Sequence, residues 1–212
     1  MTHAAILSLL RVSAVMMPVF WCSAGLAQST TATISQTGNG SAANVDQSGA
    51  LGAAVQVEQI GDALVANIVQ RDAAHRLRLK MEGADQSAEL SQSGAGLNRM
   101  EVDMGGSANR VTATQQSEVG GENVALLSQY GTGNQALIAQ QAAVGQNYLT
   151  LNQNGNDNTA NLSQTGGDNQ LGLTQNGDGN AATLSQQGIG LILGIIQNGG
   201  ANTVITQTGP GG

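Results

Sequence analysis

The chain has 212 residues, 10% of them charged, 2% aromatic and 40% hydrophobic, with 30 Gly and a formal net charge of −7. So few aromatics exclude a core built on large anchoring side chains, the single Cys excludes an intrachain disulfide framework, and the acidity argues against a nucleic acid as a specific ligand. Most of the apolar content is Ala, Leu, Val and Ile, so burial has to occur in a thin layer of small side chains.

In chain order, residues 1–27 come first. An apolar stretch from Ala4 to Trp21, interrupted by Arg11, runs into small residues at Gly25 and Ala27. Arg11 as the leading charge, Val12 to Trp21 as the apolar core and a cut after Ala27 make a secretory signal peptide the expectation, with a repeat domain over 28–212. Arg11 breaks the roughly 20 apolar residues that a membrane-spanning helix needs. Cleavage would remove the only Cys, and the six Lys and Arg left without Arg11 would stand against 14 Asp and Glu.

From residue 30 to residue 207 the sequence repeats. Gln153, Gln164, Gln175, Gln186 and Gln197 are spaced by eleven. Within Asn158 to Gln164, the residues Asn158, Ala160, Leu162 and Gln164 recur at every second position, which puts them on one face of an extended chain, with Thr159, Asn161 and Ser163 on the other. Thr165-Gly166-Gly167-Asp168 then turns the chain, since Gly accepts positive φ and Asp bonds nearby backbone.

With turns of three to seven residues, sixteen such strands thread through the sequence. They close at Gln36, Gln47, Gln59, Gln70, Met81, Gln92, Met104, Gln115, Gln129, Gln140, Gln153, Gln164, Gln175, Gln186, Gln197 and Gln207. The two middle inward positions of each strand are apolar in 31 of 32 cases, Thr203 being the exception, and Gly stands second after the closure in twelve of fifteen turns. Turns this short rule out helical crossovers, so the apolar faces must cover one another. The predicted fold is an all-β solenoid, a cross-β stack of about eight two-strand rungs of 22 residues, with alternate strands in two parallel sheets. Asn and Gln at equal heights in successive rungs are placed to hydrogen-bond through their amides along the axis: Asn134, Gln140, Gln153, Asn158, Gln164, Asn169, Gln175, Asn180, Gln186 and Gln197 form the expected stacking ladder. Neither end carries a charged or proline-bearing cap on its outermost strand, and open strand edges invite a further chain.

The spacings Gln129-x4-Asn134-x5-Gln140, Gln153-x4-Asn158-x5-Gln164, Gln164-x4-Asn169-x5-Gln175 and Gln175-x4-Asn180-x5-Gln186 resemble the repeat of the curlins, the amyloid subunits of bacterial curli fibres. Asn usually replaces the Ser that opens the curlin pattern, as at Asn123, Asn147, Asn158 and Asn169, whereas Ser41 keeps it. The resemblance implies a subunit secreted through a curli-type outer-membrane channel of a Gram-negative bacterium. It further implies polymerisation into an extracellular fibre for biofilm matrix and adhesion, with a second curlin subunit or nucleator as partner and no cofactor. The array departs from familiar curlins in its greater number of rungs and its irregular middle.

In that middle lie all six basic residues downstream of residue 28: Arg71, Arg76, Arg78, Lys80, Arg99 and Arg110. Arg76, Arg78 and Lys80 are expected to point outward from one strand, and with Arg71 they form a candidate interaction patch, or else a solvated face that slows premature stacking. His75 falls on an inward opening position, as a polar ladder member. Leu191 to Ile196 is apolar on both faces and uncharged, the profile of a segment that promotes assembly. The carboxylates are scattered, and no nucleophile elbow or paired acid-base arrangement stands out, so catalysis is not expected. A soluble, monomeric solenoid that binds a surface is the alternative, but its outward positions would have to form regular rows. Here they vary from Thr159 and Ser163 to Gln170 and Gly172 and then to Ile192 and Ile196.

Overall fold

A computed structural model describes residues 11–13, 22–23 and 30–211. The leader read over 1–27 therefore lies outside the described residues except for the backbone of two short strands, β1 (Arg11–Ser13) and β2 (Cys22–Ser23). Sixteen strands follow, from β3 (Thr31–Thr37) and β4 (Ala42–Asp46) to β17 (Ile192–Asn198) and β18 (Asn202–Thr208), and the described residues contain no helix.

All odd-numbered strands form one sheet in chain order and all even-numbered strands a second, and every pairing is parallel. The chain is thus a β-solenoid of about eight turns. Short turns dictate this: a strand cannot fold back on its predecessor in parallel, so each crosses to the opposite sheet and meets its partner one full turn later. The step between paired residues is not fixed at 22. It is 22 from Ala54 to Arg76, 25 from Arg110 to Gln135, and 21 from Ala181 to Asn202. Strand registers stay aligned because the extra residues are absorbed in the turns.

The core is the predicted inward face. The middle inward residues are buried from Ala43 to Leu184 and half-buried only in the outermost rungs, at Ala32, Ile34, Leu193, Ile195, Thr203 and Ile205. Residue size differs between the sheets. The first inward row is Ala in six of the eight even strands, at Ala43, Ala66, Ala88, Ala136, Ala160 and Ala182, with Val111 and Thr203 in the other two. In the odd sheet it is Leu77, Met100, Leu149, Leu171 and Leu193, with Ala32, Val55 and Ala125 as the smaller members. Aliphatic side chains of this size fill a narrow core, which is why so few aromatics suffice.

Gly in the turns is required by close approach as well as by φ. Gly166, at φ +115, is stacked so tightly on the next turn that a Cβ there would lie 1.9 Å from the Gly188 carbonyl oxygen. Gly61, at φ +132, has the same relation to Gly83 at 1.8 Å.

Candidate functional site: amide ladders, open ends and a charged outer face

Each closing Gln from Gln36 to Gln197 sits at the end of a strand with its amide inside the solenoid, where water cannot satisfy it, and Gln207 in the last rung is half-buried. In the even sheet the amides form one uninterrupted chain. Gln47 donates to Gln70 at 2.9 Å, Gln70 to Gln92 at 2.7 Å, and Gln92 to Gln115 and Gln115 to Gln140 at 2.8 Å each. Gln140 donates to Gln164 at 2.8 Å, Gln164 to Gln186 at 3.0 Å and Gln186 to Gln207 at 2.9 Å. The second N–H of each Nε2 crosses the core to a carbonyl at the start of a strand in the other sheet, as Gln164 does to Tyr148 at 3.1 Å and Gln186 to Gln170 at 3.0 Å. One amide therefore ties together two successive rungs and both sheets.

The odd sheet has the same device with a gap. Gln36 donates to Gln59, and Gln129, Gln153, Gln175 and Gln197 form a second run at 2.6, 2.8 and 2.7 Å. Between these runs stand Met81 and Met104, paired in register on β7 (Arg76–Ala84) and β9 (Leu97–Ser107). Gln59 Nε2 donates to Met81 Sδ at 3.6 Å, and Gln129 Oε1, facing Met104, is buried with no donor.

Opening Asn residues make two further ladders. Asn134 donates to Asn109, Asn158 to Asn134 and Asn180 to Asn158 at 3.1, 3.0 and 2.9 Å. In the other sheet Asn123 donates to Asn98, Asn147 to Asn123 and Asn169 to Asn147 at 2.9, 3.3 and 3.1 Å. Asn ladders donate toward the N-terminal end and Gln ladders toward the C-terminal end, so their dipoles oppose. His75 heads the second Asn ladder: its Nε2 donates to the Arg71 carbonyl at 2.8 Å, which leaves Nδ1 to accept from Asn98 Nδ2 at 3.4 Å. Burial pushes the imidazole below its ordinary pKa, opposed by the Arg71 hydrogen bond and the charge of Asp72. Asn98 and Asn109, like Gln47, Gln70, Gln92 and Gln115, belong to these ladders although the expected ladder begins only at Asn134.

The outer face of the odd sheet carries the charge. Arg76, Arg78 and Lys80 project from β7, next to Arg99, Glu101 and Asp103 in register on β9. Arg78 meets Glu101 at 2.8 Å and Lys80 meets Glu82 at 3.2 Å, while Arg71, in the preceding turn, meets Asp46 at 3.1 Å. Tyr130 lies over Gly105 and donates its hydroxyl to Asp103 at 2.9 Å, which raises the pKa of the phenol. Arg71 is thus held by a different carboxylate from those that meet Arg78 and Lys80.

At the C-terminal end, β17 pairs only with β15 (Gln170–Asn176) and β18 only with β16 (Ala181–Ile189), leaving one edge of each open. Ile192 and Ile196 of the apolar segment are 71% and 72% exposed on the outside, and Val204 is 71% exposed. Gln197, last in the odd ladder, turns its amide back to Ala201 O and Thr203 Oγ1. At the other end of the same ladder, Gln36 Oε1 is buried without a donor.

Comparison with family models, with curated proteins and with solved structures finds no match for this chain.

Proposed function

We propose that the chain is a secreted structural subunit that polymerises end to end into an extracellular cross-β fibre, serving a bacterial surface matrix and adhesion in the manner of the curlins its repeat resembles. The observation that carries this reading is the polarity of the odd ladder. It ends C-terminally on a donor, Gln197 Nε2, with no further Gln to receive it, and begins N-terminally on an acceptor, Gln36 Oε1, with none to donate. A second copy placed with its β3 on β17 and its β4 on β18 continues both sheets in parallel. That placement brings Gln36 of the incoming chain against Gln197, and covers the half-buried Leu193, Ile195 and Ile205. Removal of the leader would bare the edge of β3 along which Arg11–Ser13 lies. A homologous nucleating subunit and an outer-membrane secretion channel are the partners this role calls for.

The test dilutes the denatured chain from residue 28 onward and follows thioflavin fluorescence with electron microscopy. Fibrils forming after a lag, and without a lag when seeded, are expected. A folded monomer that stays soluble for days overturns the fibre and leaves a soluble surface-binding solenoid.

A further inference from the structure

On the outer face of the odd sheet two cations stand without counter-charges. Arg76 and Arg99 are Cα partners in the parallel register of β7 and β9, about 4.8 Å apart, and both are exposed. Like charges side by side in a sheet repel. Their neighbours are neutralised, Arg78 by Glu101 and Lys80 by Glu82, but neither Arg76 nor Arg99 has an ion pair among the described residues. They border an open depression of about 560 Å³ whose other walls include Thr31, Thr33, Gln56 and Arg78. The depression exists because the row holding Arg76 and Arg99 continues into the short side chains Ala54 and Thr31, and the next row into Thr33 and Gln56.

We propose that this depression is a docking site for an acidic polysaccharide, with the carboxylate of a uronic acid bridging the guanidinium groups of Arg76 and Arg99. Each guanidinium carries a fork of N–H donors, the group with which arginine grips a carboxylate, and the register sets the two side by side. Beside them, the hydroxyls of Thr31 and Thr33 and the amide of Gln56 suit sugar hydroxyls. The surroundings select for a polymer of sparse charge. Glu58, Glu101 and Asp103 flank the arginines on the same face, and the chain is net negative, which repels a nucleic acid with a phosphate on every nucleotide. Among the described residues that line it, the depression also has no aromatic side chain on which a base could stack. Arg110 provides an internal comparison: it is exposed on the even sheet, alone between Ser87 and Gln135 in its row. The proposal rests on the fibre reading only for its multiplicity, since a polymer of subunits would repeat the site along its length and bind a long glycan with high avidity.

The experiment measures binding of sodium polygalacturonate to the refolded chain before assembly and to sedimented fibres, with fully methyl-esterified polygalacturonate, polyglutamate and a single-stranded oligonucleotide as comparators. Wild type and R110Q should bind the polyuronate alike, more weakly as salt rises, and should ignore the esterified polymer. R76Q/R99Q should lose about tenfold or more in affinity, and R76K/R99K, which keeps the charge and loses the fork, should fall between. Circular dichroism of each variant establishes that the solenoid is retained; relieving an exposed like-charge contact should not unfold it. Unchanged affinity in R76Q/R99Q overturns the site, and tighter binding of polyglutamate or oligonucleotide overturns the ligand class. A chain that binds but never forms fibres refutes the fibre and leaves the site standing, and fibres that ignore polygalacturonate do the reverse.

Discussion

The two sheets have the same strands, turns and closing positions, yet one Gln ladder is continuous over eight strands and the other is cut by Met81 and Met104. The difference shows what the ladder contributes. Methionine fills the space of glutamine and keeps the apolar layer closed, so the fold tolerates the exchange. What it loses is directional: a donor for Gln129 Oε1 and a cross-core tie between sheets. The continuous ladder links the stack along its axis, and the interrupted one leaves the odd sheet, whose backbone pairing is unbroken, with two separate runs of side-chain amides that end beneath the charged patch on β7 and β9.

Replacing Gln164 by Leu is the severest way to break this contrast. It strands the Gln140 donor and the Gln186 acceptor and removes the tie to Tyr148, at an expected cost of about 2–4 kcal/mol, read from urea denaturation of the folded chain. Met104→Leu, apolar for apolar at a site of equal burial, should cost less than about 1.5 kcal/mol. Equal losses would mean that the amides are only space-fillers. Thr159→Ala, Asn161→Ala and Ser163→Ala on the outward face should each stay within about 0.5 kcal/mol.

The reverse experiment mends the gap. Met81→Gln combined with Met104→Gln gives Gln59 an oxygen acceptor and Gln129 a donor, and should raise stability by about 1–2 kcal/mol. A higher denaturation midpoint is expected, and a lower one would show that the thioethers are needed for packing.

The smallest effect concerns His75. Its folded pKa is depressed below the ordinary 6.5 by burial, so on acidification the unfolded chain takes up the proton first. Stability is therefore full above about pH 6.5 and falls as the pH drops toward the folded value. His75→Asn extends the Asn ladder with a side chain that does not titrate and should flatten that decline. A wild-type profile already flat between about pH 7 and pH 5 would remove the imidazole from this role.

Much of this was legible in the sequence because a period of two and a repeat near eleven are both written in residue types. Asn158, Ala160, Leu162 and Gln164 could share only one face, and Gly166 after them only a turn. The rung length was less legible: the seven-residue turn between Gln115 and Asn123 lengthens the step to 25 without disturbing the strands, since loops absorb residues that ladders cannot. The early ladder members Gln70 and Gln92 were visible as closures, but the Asn that marks the later repeats is Leu64 or Gln86 in their strands, so the motif itself did not point to them. The pairing of Arg76 with Arg99 was hidden because residues 23 positions apart become neighbours only when the register across two turns is known.

By itself, the sequence determined that the chain is extended, which side of each strand faces inward and where it turns, because steric and hydrophobic preferences act locally and repeat. Only the tertiary structure decided which residues stand one above another. Rung-to-rung register is set by how stacked turns of unequal length close, and it is this register that joins eight glutamines into one ladder, leaves Gln129 without a donor and places two arginines side by side without a counter-charge.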